Sequence, residues 1–288
     1  LIALLIGMVI MLIISSNFSY LMGLTSITGG IYSYTKEAFG RDHAFLCSWF
    51  MCLSYLTIVF LNGTALFYVI RLLIGDTLQT GLHYTIAGND IYFAEAMVSA
   101  LLLFLTGMLF ILAKPLLQRL NTVLAVLLLA GVVITALLCM PGAIAHGALT
   151  SFGSGDVNNG YAIFSIIILT PWAFVGFEVT SFDTAHFNFP FHKSKRLISL
   201  SIIGAAFSYI ALTLISVAAV PEGFDSWQAY INGLDTLGGV ASVPTFYVAR
   251  TIMGPAGLVI MTITAMASIL TGIIGGYRAT TRVLATMA

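Results

Sequence analysis

The chain runs to 288 residues, of which 59% are hydrophobic and only 8% charged, and its mean hydropathy is +1.04. A soluble domain carries about a quarter charged residues, so this surface cannot face water all round. Eleven basic and eleven acidic side chains cancel, which leaves no charge excess for a nucleic acid or other polyanion.

About 20 apolar residues cross a hydrocarbon core roughly 30 Å thick. In chain order such runs fall at 1–23, 44–73, 90–112, 119–140, 161–188, 197–220 and 252–277, which predicts seven membrane helices. The first run lacks a basic leader and an initiator Met and continues towards a second segment, so it reads as a span rather than a signal peptide. Cys47, Cys52 and Cys139 sit within apolar runs and read as small packing residues, not a disulfide or metal set. The long connection 221–250 is expected to hold a short surface helix around Phe224 to Asn232. Twenty Phe and twelve Tyr suit a lipid-facing body with aromatic belts.

The connections alternate in charge. Lys36, Arg41, Lys114, Arg119, Lys193, Lys195, Arg196, Arg278 and Arg282, nine of the eleven basic residues, fall on one side. Only Arg71 and Arg250 fall on the other, with Asp76, Asp156, Glu222, Asp225 and Asp235. The positive-inside rule makes the first side cytoplasmic, so residue 1 lies outside and residue 288 inside a plasma (cell inner) membrane. An outside start suggests a missing preceding helix, and Ala288 closes an uncapped helical stretch, so the chain is expected to be truncated at both ends.

Charge inside a span costs a few kcal/mol and marks a functional candidate. The fifth run carries Glu178 and Asp183 near Pro171, Trp172, Phe174, Val175, Gly176 and Phe177. Pro171 removes a backbone donor and Gly176 weakens the helix by about 1 kcal/mol relative to Ala, which predicts a break near 171–178. Membranes tolerate broken backbone only where it is buried in protein or lines a cavity. The half before the break would end in partially negative carbonyls, suited to an ammonium group. Glu178 reads as an organiser of the broken backbone or a proton carrier, and Asp183 as a structural or gating partner. Tyr55 and Asn62, seven apart on the second run, share a helix face and either line a cavity or bond a neighbouring helix. Ser268, Thr271 and Gly272 form a small, polar stripe fitted to close packing or to a substrate or ion contact. Glu95 is placed to reach the outer interface. The five histidines show no metal-ligand spacing, and no metal, cofactor or enzyme motif is found.

Three stretches resemble one known family. Gly29-Gly30-Ile31-Tyr32-Ser33-Tyr34 with Ala38-Phe39-Gly40-Arg41, then Trp172 to Glu178, then Tyr277 to Ala288 with its Arg282-Val283-Leu284 run, occur in order. They are similar to the second, sixth and eighth helices of the amino acid–polyamine–organocation permeases. The resemblance implies an all-α integral membrane protein, a partial LeuT-like inverted-repeat bundle built as a single permease domain over 1–288. Residues 1–140 would be the remainder of the first repeat and 161–288 part of the second. It implies secondary active transport of amino acids or related amines by alternating access, coupled to a proton, a sodium ion or exchange. By position, carbonyls around Trp172 to Val175 would hold the substrate amine, Trp172 and Phe174 would shape the pocket, and Asn62, Tyr55 and Ser268 would line it. The family's acidic residues and Asn-Pro after the sixth helix are not matched, because Phe189 separates Asn188 from Pro190. A seven-helix receptor or photosensor fits the span count too, although the last span has no lysine for a retinal Schiff base.

Overall fold

The computed structural model describes residues 1–24, 29–86, 89–145, 147, 159–186 and 192–288. Nine α-helices are found among them: α1 (Ile2–Leu24), α2 (Gly30–Phe39), α3 (Arg41–Ile74), α4 (Phe93–Leu112), α5 (Lys114–Ala145), α6 (Asn159–Ala173), α7 (His192–Ile215), α8 (Trp227–Asn232) and α9 (Pro244–Met287). Seven segments are long and apolar enough to cross a membrane: Ile2–Gly23, Arg41–Leu78, Phe93–Leu112, Lys114–Ala145, Ile163–Phe182, Lys193–Ile215 and Pro244–Met287. No more than 39% of the most apolar stretch of any of them is buried inside the protein. The uncovered remainder is apolar, with Val9, Phe60, Phe104, Leu137 and Leu169 all exposed, and needs lipid rather than water. The chain is a helical, multi-pass membrane protein.

Three features depart from the expected helices and loops. The connection after the first span contains α2, introduced by Gly29 and Gly30 at φ 130° and 56°. The connection after the second span carries an antiparallel hairpin, β1 (His83–Ile86) with β2 (Asn89–Tyr92), in register His83 to Tyr92 and Ile86 to Asn89. The last span starts early, at Pro244, and is kinked at Gly254 (φ 64°, ψ −150°) before Pro255, whose ring and missing N–H disfavour a straight helix. The expected surface helix is present as α8, capped by the Ser226 hydroxyl, which accepts from the Ala229 N–H. Its Tyr230 is fully buried and donates to the Ala241 carbonyl at 2.7 Å. Burial, then the neighbouring Tyr247, push that phenol up to about 12, so it stays a protonated donor at ordinary pH.

The chain forms two compact units: Leu1–Thr57, Ser154–Ile210 and Gly275–Ala288 in the first, Ile58–Gly153 and Ala211–Ile274 in the second. In the first unit, α1 lies against α6 so closely that a Cβ added to Gly7 would collide with the Thr170 side chain. Its core gathers Met11, Met22, Tyr34, Phe174, Ile198 and Ile202. In the second, Gly131 of α5 brings its backbone against Thr264 of α9, another close approach through a residue without a side chain. Leu117, Leu124, Ala267 and Ile274 fill the same helix pair further along.

Candidate functional site in the broken span

The fifth span is not one helix. α6 continues two residues beyond Pro171 and ends at Ala173. Phe174 to Gly176 form a turn, and a 3₁₀ helix follows from Phe177 to His186. Gly176 has φ 113°, a conformation open to glycine and strained for other residues. A Cβ there would meet nothing within 4 Å, so glycine is required by the backbone and not by crowding.

Most peptide groups around the turn are satisfied locally. The Phe174 N–H donates to the Thr170 carbonyl, Val175 to Trp172, and Val179 to Gly176. The Tyr209 hydroxyl of α7 donates to the Ala173 carbonyl at 2.6 Å. Thr180 caps the Phe177 carbonyl and Ser181 the Glu178 carbonyl, each at 2.6 Å. Among the described residues, the Phe174 and Val175 carbonyls accept no hydrogen bond. They follow the C-terminal end of α6, where helix dipoles leave partial negative charge.

Glu178 holds the turn. Buried to 7% exposure, its Oε2 accepts the Gly176 N–H at 2.9 Å and its Oε1 accepts the Tyr55 hydroxyl at 2.6 Å. Both oxygens are thus occupied within the first unit, one by a side chain of α3 and one by the backbone of the turn.

Beside the turn lies a cleft of about 430 Å³. One wall is the segment from Ala173 to Thr180 and the other is a face of α7 bearing Ser194, Ile198, Ile202, Ala205 and Tyr209. Those α7 positions fall four, eight, eleven and fifteen residues after the first, a helical stripe. Phe174 meets Tyr209 edge to face at 5.7 Å, and Phe177 meets Phe18 of α1 at 5.6 Å. No model of a known protein family, no curated protein and no solved structure matches this chain.

The expected site residues separate into two groups. Phe174, Val175, Gly176 and Phe177 line the cleft, while Tyr55 and Glu178 brace the turn from within the same unit. Trp172 is 61% exposed and does not line the cleft. Asp183 lies in the 3₁₀ helix, and its side chain is outside the described residues. Asn62, Ser268 and Thr271 belong to the second unit. There the Asn62 amide donates to the Ile58 carbonyl at 2.9 Å and packs on Gly272, where a Cβ would sit 2.7 Å from its Nδ2 and Oδ1. Thr271 bonds back to Ala267 and Ser268 within its own helix, and Ser268 is exposed. Of that stripe, it is Gly272 that makes a close approach to another helix, through Asn62.

Two arrangements escape the sequence reading, one at the site and one in the second unit. The α7 face, with Tyr209, is visible only once that helix is placed against the turn. The second is Arg71, whose Nε and Nη2 each donate to Glu95 at 2.6 Å while Nη2 also donates to the Asp90 carbonyl at 2.6 Å. Glu95 is fully buried and also receives the Tyr92 N–H, so the pair pins the hairpin to α3 and α4. Opposite charges flanking the connection between the second and third spans were the available signal.

Proposed function

We propose that this protein is a secondary active transporter of amino acids or related amines, a member of the amino acid–polyamine–organocation permeases with a LeuT-like fold. One observation carries the reading: halfway along the span Ile163–Phe182, the α-helix stops at Ala173 and leaves the Phe174 and Val175 carbonyls, beside a cleft, without donors among the described residues. Unpaired carbonyls in hydrocarbon cost free energy, which an ammonium N–H can recover. Glu178 keeps the turn open from behind, and Gly176 permits its backbone path.

Transport proceeds by alternating access in a plasma membrane, with residue 1 outside and residue 288 cytoplasmic. The alternation of Lys and Arg between successive connections supports that orientation. A coupling proton or sodium ion completes the cycle, or exchange replaces it. The test is uptake of radiolabelled amino acids into cells producing the wild-type protein, Gly176→Ala or Glu178→Gln. The reading requires uptake above background that both variants lose while membrane abundance is kept; equal uptake by all three would refute it.

A further inference from the structure

We infer that the hairpin of β1 and β2 is a membrane anchor, its apolar face resting on the bilayer at the level of the lipid headgroups beside the start of α4. Directly paired residues of an antiparallel ladder share a face, and neighbours along a strand alternate between faces. Two contacts fix which face is polar: the Thr85 hydroxyl donates to Asp90 at 2.6 Å, and the His83 and Tyr92 rings lie 5.3 Å apart. The other face then carries Leu82, Tyr84, Ile86, Ile91 and Phe93, since Tyr84 pairs with Ile91 and the Phe93 N–H donates to the Leu82 carbonyl. Leu82, Tyr84, Ile86 and Phe93 are each more than half exposed. So short a hairpin has no core of its own in which to hide them, and a contiguous apolar face of this kind calls for an apolar neighbour.

Continuity with the lipid-facing surface identifies that neighbour. Phe93 opens α4, and Met97, Leu101 and Phe104 follow it at helical spacing, all exposed. Glu95 and Ser99, both buried, lie on the opposite side of the same helix, so the Phe93 stripe is the one turned to lipid. The 20 residues of α4 just span the hydrocarbon core, about 30 Å at roughly 1.5 Å each, so Phe93 and its partner Leu82 lie at the hydrocarbon boundary. Four-residue strands extend about 13 Å beyond it, against a headgroup layer of roughly 5–8 Å, so the face is covered only if the hairpin leans along the bilayer surface. Its unpaired strand edges need polar partners, which the headgroup layer offers and hydrocarbon does not. The base is fixed from the protein side: Arg71 donates to Glu95 and to the Asp90 carbonyl, and Glu95 accepts the Tyr92 N–H. The inference rests on the apolar spans and the hairpin alone and stands apart from the transport reading.

The experiment is spin-label accessibility on the full chain in phosphatidylcholine vesicles. Nitroxides are attached singly at Leu82→Cys, His83→Cys, Tyr84→Cys, Thr85→Cys and Ile86→Cys, after replacement of Cys47, Cys52 and Cys139. All five positions are exposed, so each apolar site can be read against either polar one if a variant folds poorly. Oxygen concentrates in lipid and a nickel chelate stays in water, so the ratio of their collision rates reports what surrounds each side chain. That ratio is expected to alternate with a period of two, about threefold or more higher at 82, 84 and 86 than at 83 and 85. Loss of the alternation, with either reagent dominant at every position, overturns the anchor, because the hairpin then stands in water or sinks into hydrocarbon. Low accessibility to both reagents at 84 and 86 overturns it as well and assigns the face to a protein partner.

Discussion

The Tyr55 hydroxyl donates to Glu178 Oε1 at 2.6 Å, joining positions 123 residues apart and fixing the carboxylate whose other oxygen takes the Gly176 N–H. Removing the donor while keeping the ring leaves a buried carboxylate oxygen unpaired. Tyr55→Phe should therefore lower stability by about 1–3 kcal/mol. Thermal unfolding in detergent checks this. The double variant Tyr55→Phe with Glu178→Leu should cost less than the sum of the single changes, because both remove the same bond.

Gly30 tests the other flank of the broken span. A Cβ on it would lie 2.7 Å from the Ser181 hydroxyl and from Phe182 Cδ1, and its φ of 56° already disfavours a side chain. Gly30→Ala should destabilise by about 1–3 kcal/mol through strain and displacement. Gly23→Ala, whose Cβ meets nothing within 4 Å, should shift stability by less than about 0.5 kcal/mol. Equal melting temperatures for the two variants would contradict the packing of α2 against the 3₁₀ segment.

How much of this was legible in the sequence depends on the range of the interaction. Each span betrays itself through twenty or so neighbouring apolar residues, and the break through Pro171 and Gly176 within six positions. The partner of Glu178 does not, since nothing in spacing links position 178 to position 55. Local signals also failed where they were short. The four-residue strands of the hairpin carry mixed polarity, and the apolar run at 252–277 starts eight residues after the helix does at Pro244, because the turn that precedes the Gly254-Pro255 kink is less apolar. Side-chain direction was the remaining gap: Trp172 shares the aromatic run with Phe174, yet it stays exposed while Phe174 is buried.

The Arg71–Glu95 pair predicts a local effect in the second unit. Arg71→Ala would leave Glu95 buried without its cation, at a cost of about 3–5 kcal/mol for a fully enclosed pair and less here because Arg71 is 23% exposed. Amide hydrogen exchange should quicken across β1 and β2 in this variant. Unchanged protection of the hairpin would mean the pair does not hold it.

Gly176→Ala isolates backbone strain from crowding, because its Cβ would have open space. The φ of 113° should cost about 1–3 kcal/mol, relieved by reshaping of the turn. Amine binding, if it uses the Phe174 and Val175 carbonyls, should weaken by more than stability falls. A parallel loss of stability with intact binding would separate the turn from the ligand.

The most direct test of the open, substrate-accepting turn is thiol accessibility at Val175→Cys, in a background with Cys47, Cys52 and Cys139 replaced. A water-soluble thiol reagent should label this position despite its place halfway along an apolar span, and a saturating amino acid or amine should slow the labelling. A thiol that stays unlabelled in intact membranes, or labels at the same rate with saturating amino acids and amines, would contradict the account.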